Sequence, residues 1–534
     1  WDAATRQRSQ AAILGTGTSF AASMWASTRA AFDHYAQRWL GAQQAACEAT
    51  SVRHVQSADL LDRRMECLAS RRRSLAAAAE VLQRKPDQAV AHAGELLGSL
   101  GDIELCADTG ALLAQSGPSP MPASPAVRAR MAAVRQELAS ANALLAAGDI
   151  AGAEPVVAEA ERLAGDLGDN VRAEVRYASA HAKAKHGDVA DAIALANQAV
   201  ELAVASHHDE LPGDVWLMLV VSAGSFEQRP AEIEAWLSQA EAWNRRLGHA
   251  GDARRIELAH ARGDLQLAAG QASAALASLS HAVELADALW GKDDPRLIPL
   301  LINRATAEGR LQQARPAVAD VERALALGIA AWGPEYPDIA QVRRALGLLY
   351  IEQLGDVARG EHELALALRL YSAQRGADSI DVANCEQALS KAGQYRGDYA
   401  AALEHAERAE QIYARRFGAE HPRRGEALMG VGALRFMRKD FAGSLAAYEV
   451  AYPILRDALG GEHTTVGLLL SNTGETLLAL GRAEAAQTEF ERALAILRHG
   501  LGPDDANLAF PLKGLGLAHL TRGQPEAAVA PLER

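Results

Sequence analysis

Cysteine is scarce in this chain. Cys47, Cys67, Cys106 and Cys385 are the four among 534 residues, and no two form a C-x-x-C pair. So sparse a set cannot be the disulfide framework of a small secreted domain, and it offers zinc no cluster of thiolates. One or two structural disulfides and four buried thiols both remain open, with the wide spacing favouring thiols. Aromatic residues are few as well, at 5%, which argues against the strand-rich cores of sandwiches and barrels. No apolar run suits a bilayer: Val215 to Val221 stops far short of the roughly 20 residues a spanning helix needs. Uncharged Ser9 to Thr28 is broken by Gly15-Thr16-Gly17-Thr18-Ser19. As given, the chain reads as soluble. It starts at Trp1 without a basic-then-apolar leader, and a last helix opened by Gly523-Gln524-Pro525 runs out at Arg534, so both ends read as cut from something longer.

Catalytic signatures are missing too. Phosphoryl transfer needs a glycine-rich loop, a strand lysine, H-R-D and D-F-G to place phosphates and magnesium. Gly15 to Phe20 breaks the loop pattern at its third glycine, and Asp440-Phe441-Ala442 matches D-F-G only by coincidence. No P-loop, G-x-S-x-G or H-E-x-x-H occurs.

What is present is alanine, as in Ala76-Ala77-Ala78-Ala79, with 49% hydrophobic and 23% charged residues. That mixture suits helices packed through small side chains. The net charge of −13 opposes a phosphate backbone, so nucleic acid is not an expected partner.

A repeat organises the second half. Trp290-Gly291-Lys292-Asp293-Asp294-Pro295 returns as Trp332-Gly333-Pro334-Glu335-Tyr336-Pro337, as Phe417-Gly418-Ala419-Glu420-His421-Pro422, and as Leu459-Gly460-Gly461-Glu462-His463. The marker glycines fall at 291, 333, 376, 418, 460 and 502, steps of 42, 43, 42, 42 and 42. Within a unit, Val466 to Leu480 reads as one helix, Gly481-Arg482 as a turn and Ala483 to Arg498 as a second helix. Small residues recur at fixed places, Gly474, Ala486 and Ala493 here, with Gly432, Ser444 and Ala451, or Gly347, Gly360 and Ala367, elsewhere. Antiparallel helices meeting at about 8–10 Å require small residues at closest approach, with larger fillers such as Phe490, Tyr448 and Leu279 beside them.

This pattern resembles the tetratricopeptide repeat, in the 42-residue form of kinesin light chains and many bacterial proteins. Gly474, Gly481, Ala486, Phe490 and Ala493 match its small, turn, small, aromatic and small positions, and Gly347, Gly432 and Gly516 match the first of them. Ser390 and Ala305 depart from that first glycine, Gln312 and Lys439 from the turn glycine, and one extra residue precedes Gly355. Looser units continue upstream through Gly148, Gly187 and Gly270, with a degenerate one expected over Phe226 to Trp243. The expected fold class is therefore all-α: a right-handed α-solenoid of about nine repeats and a truncated tenth over 126–534, whose first helices line a concave face. Ser116 to Pro125, with four alternating prolines, reads as a semi-rigid linker over 116–125. Residues 1–115 read as a helical block without the period, with helices over Ala30–Thr50, Val55–Leu82 and Ala89–Leu100.

Trp1-Asp2, Ala46-Cys47-Glu48-Ala49-Thr50, Arg64-Met65-Glu66-Cys67-Leu68 and Cys106-Ala107 together resemble the region after the membrane span in myxobacterial serine/threonine protein kinases. The resemblance runs through block, linker and repeats. It implies a kinase domain, with ATP and magnesium, upstream of Trp1, and places this region outside the cytoplasm. There, a disulfide among Cys47, Cys67 and Cys106 competes on equal terms with free thiols.

Several features have bland readings. His207-His208-Asp209-Glu210 is the densest metal-like string, but neighbouring ligands rarely converge on one ion, so a solvated turn is expected and no metal. His421 and His463 read as helix-start residues. Arg71-Arg72-Arg73, Arg245-Arg246 and Arg254-Arg255 read as solvated faces. Trp216, Trp236, Trp243, Trp290 and Trp332 read as interhelix packing. One constellation suggests function. In tetratricopeptide peptide-binders an asparagine two residues before the small first-helix position holds the partner's backbone. Asn303 and Asn472 occupy that place here, with Ala345, Ala388, Gly430 and Gly514 in the others. Arg344, Gln387, Lys391, Glu475 and Lys513 would face the same groove. The expected function is a non-catalytic scaffold for a protein or peptide segment, with an upstream kinase activity or self-association as the alternatives.

Overall fold

The computed structural model describes residues 1–114, 124–222, 230–248, 253–502 and 505–533, and among them there is no strand. The protein is an all-α repeat fold in two compact units, Trp1–Ile339 and Ala340–Arg534.

The first unit opens with α1 (Ala3–Gly15), α2 (Ala21–Ser51), α3 (Ala58–Arg84), short α4 (Pro86–Ala91) and α5 (Ala93–Gly98), and α6 (Thr109–Ala114). The uncharged stretch from Ser9 is thus the end of one helix, a turn and the start of another. Asp2 starts α1 by accepting from the Thr5 N–H at 2.7 Å, and Ser57 caps α3 in the same way at 3.1 Å, as N-cap side chains do. The expected helix over 89–100 is interrupted at His92, which leaves α4 and α5. Most of the linker, 116–123, and Phe226 lie outside the described residues.

Helical pairs follow. They are α7 (Pro125–Ala146) with α8 (Ile150–Ala164), α9 (Asp169–His186) with α10 (Val189–Ala205), and α11 (Leu211–Ser222) with α12 (Pro230–Leu247). Next come α13 (Ala253–Ala268) with α14 (Ala272–Trp290), and α15 (Leu297–Arg310) with α16 (Ala314–Trp332). From α17 (Pro337–Glu352) the chain enters the second unit, where α18 (Val357–Arg375) completes its pair. The remaining pairs are α19 (Ile380–Arg396) with α20 (Tyr399–Phe417), α21 (Pro422–Met437) with α22 (Phe441–Leu459), α23 (Thr464–Ala479) with α24 (Ala483–Leu501), and α25 (Ala509–Thr521) with α26 (Pro525–Leu532).

Within a pair the helices meet at the small residues. A Cβ built on Gly474 would lie 2.8 Å from the Phe490 ring, and one on Gly347 would lie 2.8 Å from Leu364. Gly432 faces Tyr448 and Gly516 faces Leu532 in the same way. Ala486 and Ala493 are fully buried opposite. The marker glycines have a backbone reason for their period. Gly291, Gly418 and Gly502 adopt φ of 91°, 97° and 95° with ψ of 161°, 168° and 165°, a region essentially closed to any residue with a Cβ. The second helices α14, α16, α18, α20, α22 and α24 all leave through such a glycine, whereas α10, upstream of the strict period, leaves through Ser206 at φ −95°.

Cys67 and Cys106 form a disulfide, with Cα atoms 5.5 Å apart. This corrects the preference for thiols at those two positions. Cys47 and Cys385 are free, one exposed and one buried. The bond ties α3 to the 3-10 turn Glu104–Cys106, which Arg64 also holds through the Cys106 carbonyl at 3.1 Å.

Candidate functional site: the inner row of first helices

Successive first helices touch one another, α7 with α9, α9 with α11, α11 with α13 and α13 with α15, and in the second unit α21 with α23 and α23 with α25. Within each unit, second helices pack on the first helix of the next pair, as α8 on α9 and α14 on α15 in the first and α18 on α19 and α24 on α25 in the second. First helices therefore form the inner, more tightly spaced row, and their outward-turned side chains line its face.

Polar rungs connect this row. Arg135 on α7 makes a forked pair with Glu174 on α9 at 2.9 and 3.1 Å, and His208 lies 3.5 Å from the same carboxylate. Burial works against the Glu174 charge, but Arg135 and His208 outweigh it and hold the carboxyl down at about 2. On α13, Arg254 binds Glu210 at 2.5 Å and Asp214 of α11 at 2.7 Å. In the second unit Lys391 on α19 reaches Glu352 on α17 at 2.6 Å.

The sequence-derived candidates divide between the units. Asn303 lies in the first, where its amide nitrogen is 2.9 Å from His260 Nε2 and donates to Asp264 Oδ1 at 2.6 Å. Its donors are engaged across the α13–α15 step. Arg344, Gln387, Lys391, Asn472, Glu475 and Lys513 belong to the second unit. There Gln387 accepts from the Tyr413 hydroxyl at 3.0 Å, beside Asn384 at 2.7 Å. One hydroxyl has one proton, so it satisfies one amide at a time. Arg344 is half-buried on α17, close enough to Tyr371, Tyr413 and Cys385 to depress their pKa values against the burial that raises all three. Asn472 is half-buried, and Glu475 and Lys513 are exposed.

Tyr177, His181, Glu257, His260, Asp264, Asn384 and Tyr413 were not singled out from the sequence. For the first-helix members the usable signal is register. Tyr177 and His260 lie three residues before the small positions Ala180 and Gly263, and His181 and Asp264 lie one after them.

Three expectations need correction. The string His207 to Glu210 is a joint, not a solvated turn: besides the His208 and Glu210 contacts, the Asp209 carbonyl accepts from the Trp243 indole at 2.6 Å. Arg254 is a partly buried ion-pair centre, not a solvated face. Arg71 donates to the Asp102 carbonyl at 3.1 Å and Arg73 pairs with Glu66 at 3.0 Å, so that run is largely internal to the block. His421 and His463 do begin helices, each accepting through Nδ1 from an N–H two residues on at 3.2 Å. Trp216 and Trp243 pack edge to face at 5.6 Å. Among the described residues no group of three metal-binding side chains converges, and no helix is long and apolar enough to cross a membrane.

The sequence model of the tetratricopeptide repeat matches residues 392–457 and 465–534, both in the second unit. No curated protein sequence matches the chain. Among solved structures, BtubC (BKLC) from P. vanneervenii is similar at 20% identity, covering 43% of this chain and 92% of that one, with a TM-score of 0.38. A tetratricopeptide repeat protein from Parabacteroides merdae is 17% identical over 59% of this chain and 98% of its own, with a TM-score of 0.38. Apo RapI is 10% identical over 66% and 98%, with a TM-score of 0.45.

Proposed function

We propose that this chain is a non-catalytic scaffold that holds a peptide or protein segment along its first helices. We further propose that it is the sensor or docking region of a bacterial serine/threonine protein kinase, outside the cytoplasm and beyond a single membrane span. The inner row supports the first half: a half-buried guanidinium and amides, Arg344 on α17, Asn384 and Gln387 on α19 and Asn472 on α23, stand on first helices where an extended backbone can pair with them. Support for the second half comes from the N-terminal strings that resemble the kinase family, and from the Cys67–Cys106 disulfide, which suits an oxidising compartment. ATP and magnesium would then belong to the upstream domain. A second reading, self-association, is favoured by the exposed apolar residues of the last pair, Phe510, Leu517, Leu520, Val529 and Leu532.

Capture from envelope and lysate fractions, followed by affinity measurement on Asn472→Ala, tests the scaffold. A partner peptide that uses the amide should lose about tenfold in affinity, because an unpaired buried peptide group costs roughly 1–3 kcal/mol. No salt-resistant partner, together with concentration-dependent light scattering, would favour self-assembly instead.

A further inference from the structure

The inner face of the second unit changes chemistry along its length. Near its start Arg344, half-buried on α17, makes no hydrogen bond and no ion pair among the described residues. Its neighbour Arg343, by contrast, pairs with Glu363 at 2.5 Å. The Arg344 charge reaches Tyr371, Tyr413 and Cys385, where it works against the burial that raises their pKa values. Of the carboxylates acting on the same three residues, Asp381 is engaged by Arg375 at 2.6 Å and Glu386 by His405 at 2.5 Å. The third, Glu426 on α21, is opposed at Tyr413 by Arg423. Asn384 and Gln387 share the single proton of the Tyr413 hydroxyl, so one amide is always left for another partner. A guanidinium without a counter-ion, beside such an amide, suits a carboxylate, which can meet its fork through both oxygens.

Further along, the face turns apolar. Six residues before the small position of successive first helices, the side chains run Asn384, Glu426, Leu468 and Phe510. Leu468 is 36% exposed and Phe510 72%, and Leu517, two turns after Phe510 on α25, is 43% exposed. Glu475 and Lys513, exposed on the same two helices, offset one another in charge. Large apolar side chains left in water at one register suit the bulky apolar groups of a partner.

We infer that the inner face of the second unit takes an extended peptide with an aspartate or glutamate at one end, on Arg344, and bulky aliphatic side chains further along, on Leu468 and Phe510. This rests on the scaffold reading and specifies its partner. Arg344 and Leu468 are three first-helix spacings apart, roughly 30 Å, which about nine extended residues span. Charge complementarity selects the occupant. A basic end would meet a like charge, while the net charge of −13 disfavours acidic peptides in general, so a local cation has to select one.

The test uses the full 534-residue chain and fluorescein-labelled, C-terminally amidated probes followed by anisotropy. The lead probe carries an aspartate pair and a leucine pair separated by about eight serines. It should bind, and replacing its aspartates by asparagine, or its leucines by serine, should weaken it about tenfold, equivalent to 1.4 kcal/mol. Arg344→Gln should bring the lead probe down to the level of the asparagine probe and leave the asparagine probe unchanged. Leu468→Ser should act in the same way on the leucine pair. Arg315→Gln, which removes an exposed guanidinium from α16, should change nothing. An equal loss from Arg315→Gln and Arg344→Gln would overturn the proposal, as would undiminished binding of the asparagine probe. A benzophenone on the lead probe should label α17, α19, α21, α23 or α25 in the unmodified chain, so the result does not depend on how the variants fold; labelling elsewhere overturns it. Dimerisation through Phe510 in place of probe binding, seen by light scattering, overturns it too. If the lead probe is ignored while a peptide selected from a random library labels these first helices, this inference fails and the scaffold reading stands. Binding of neither overturns both.

Discussion

At the scale of single residues, the turns between paired helices carry a preference that two positions violate. Gly481 closes α23 at φ 75°, and at the equivalent turns Gln312 and Lys439 adopt φ of 59° and 64°. Lys439 donates to the Phe436 carbonyl and Asp440 to that of Arg435, the paired bonds of a Schellman ending. A side chain in this left-handed region costs about 1 kcal/mol relative to glycine, partly offset by glycine's freer unfolded chain. Lys439→Gly should therefore stabilise the second unit by about 0.5–1 kcal/mol in urea unfolding; no change, or a loss, would mean that the lysine stem provides a compensating contact. A second residue-scale case is Glu308 on α15. Its carboxyl is buried, Oε2 has no hydrogen-bond partner, and Asp320 of α16 stands nearby, held by Arg304 at 2.5 and 2.6 Å. Burial first, then the Asp320 charge, raise the Glu308 pKa to about 7, against the pull of Arg304. The folded state thus holds a proton that the unfolded chain has released between about pH 4.5 and 7. Stability is greatest below that window and falls as pH rises through it. Glu308→Gln should flatten the decline, leaving the protein about 1–3 kcal/mol more stable than the parent at pH 8 and little changed at pH 4. Parallel thermal melts at the two pH values would show it.

At the scale of the element, a helical pair is defined by one near-contact, and its cost can be measured from both sides. Alanine normally improves a helix over glycine by about 1 kcal/mol. At Gly474 the added Cβ would meet three ring atoms of Phe490 at 2.8 to 2.9 Å, so overpacking of about 1–3 kcal/mol should win. With Phe490→Ala as background the ring is gone, and Gly474→Ala should become neutral or stabilising. The reversal is the diagnostic result, since a simple propensity effect would have the same sign in both backgrounds. Ala486→Leu, at the buried position opposite, should cost a similar amount without any such rescue.

At the scale of the whole first unit, the N-terminal helices touch both ends of the row of five pairs, as a strut would. At one end α3 packs on α7, and Lys85 pairs with Asp149 at the α7–α8 turn at 2.7 Å. At the other, Ser23 donates to the Trp332 carbonyl at 2.9 Å, Tyr336 donates to the Ala91 carbonyl at 3.1 Å, and Phe20 packs edge to face on Tyr336 at 5.7 Å. Trp332 lies against Gly94, where a Cβ would come within 3.3 Å of its ring. Trp332→Ala removes the centre of this contact and should destabilise the unit by about 3–5 kcal/mol. Amide exchange over 86–98 should rise most if the strut opens locally, while α23 and α24 in the second unit remain protected. Uniform loss of protection throughout the chain would mean that the contact supports the fold generally and has no separate strut role.

The helical class, the period and the pairing geometry were all readable in the amino-acid sequence, because each depends on local rules. Marker glycines recur since the exit from the second helices α14 to α24 uses a backbone conformation that side chains exclude, and Gly347, Gly432, Gly474 and Gly516 recur since two helix axes cannot approach otherwise. The candidate site was legible only in part. Asn303 could be placed on the inner row by counting, but not its engagement with His260 and Asp264, which belong to a neighbouring helix 39 to 43 residues earlier. Charge runs misled for the same reason: whether Arg71 meets solvent or the Asp102 carbonyl, and Arg254 solvent or two carboxylates, is decided by the element across from it. Only the tertiary structure brought Cys67 to Cys106, made a joint of His207 to Glu210, and set the block against Trp332, which Ser23 reaches across a separation of 309 residues. Repeat spacing is encoded within each unit and survives without knowledge of its neighbours; long-range docking depends on surface complementarity between segments that share no period, and no count along the chain contains it.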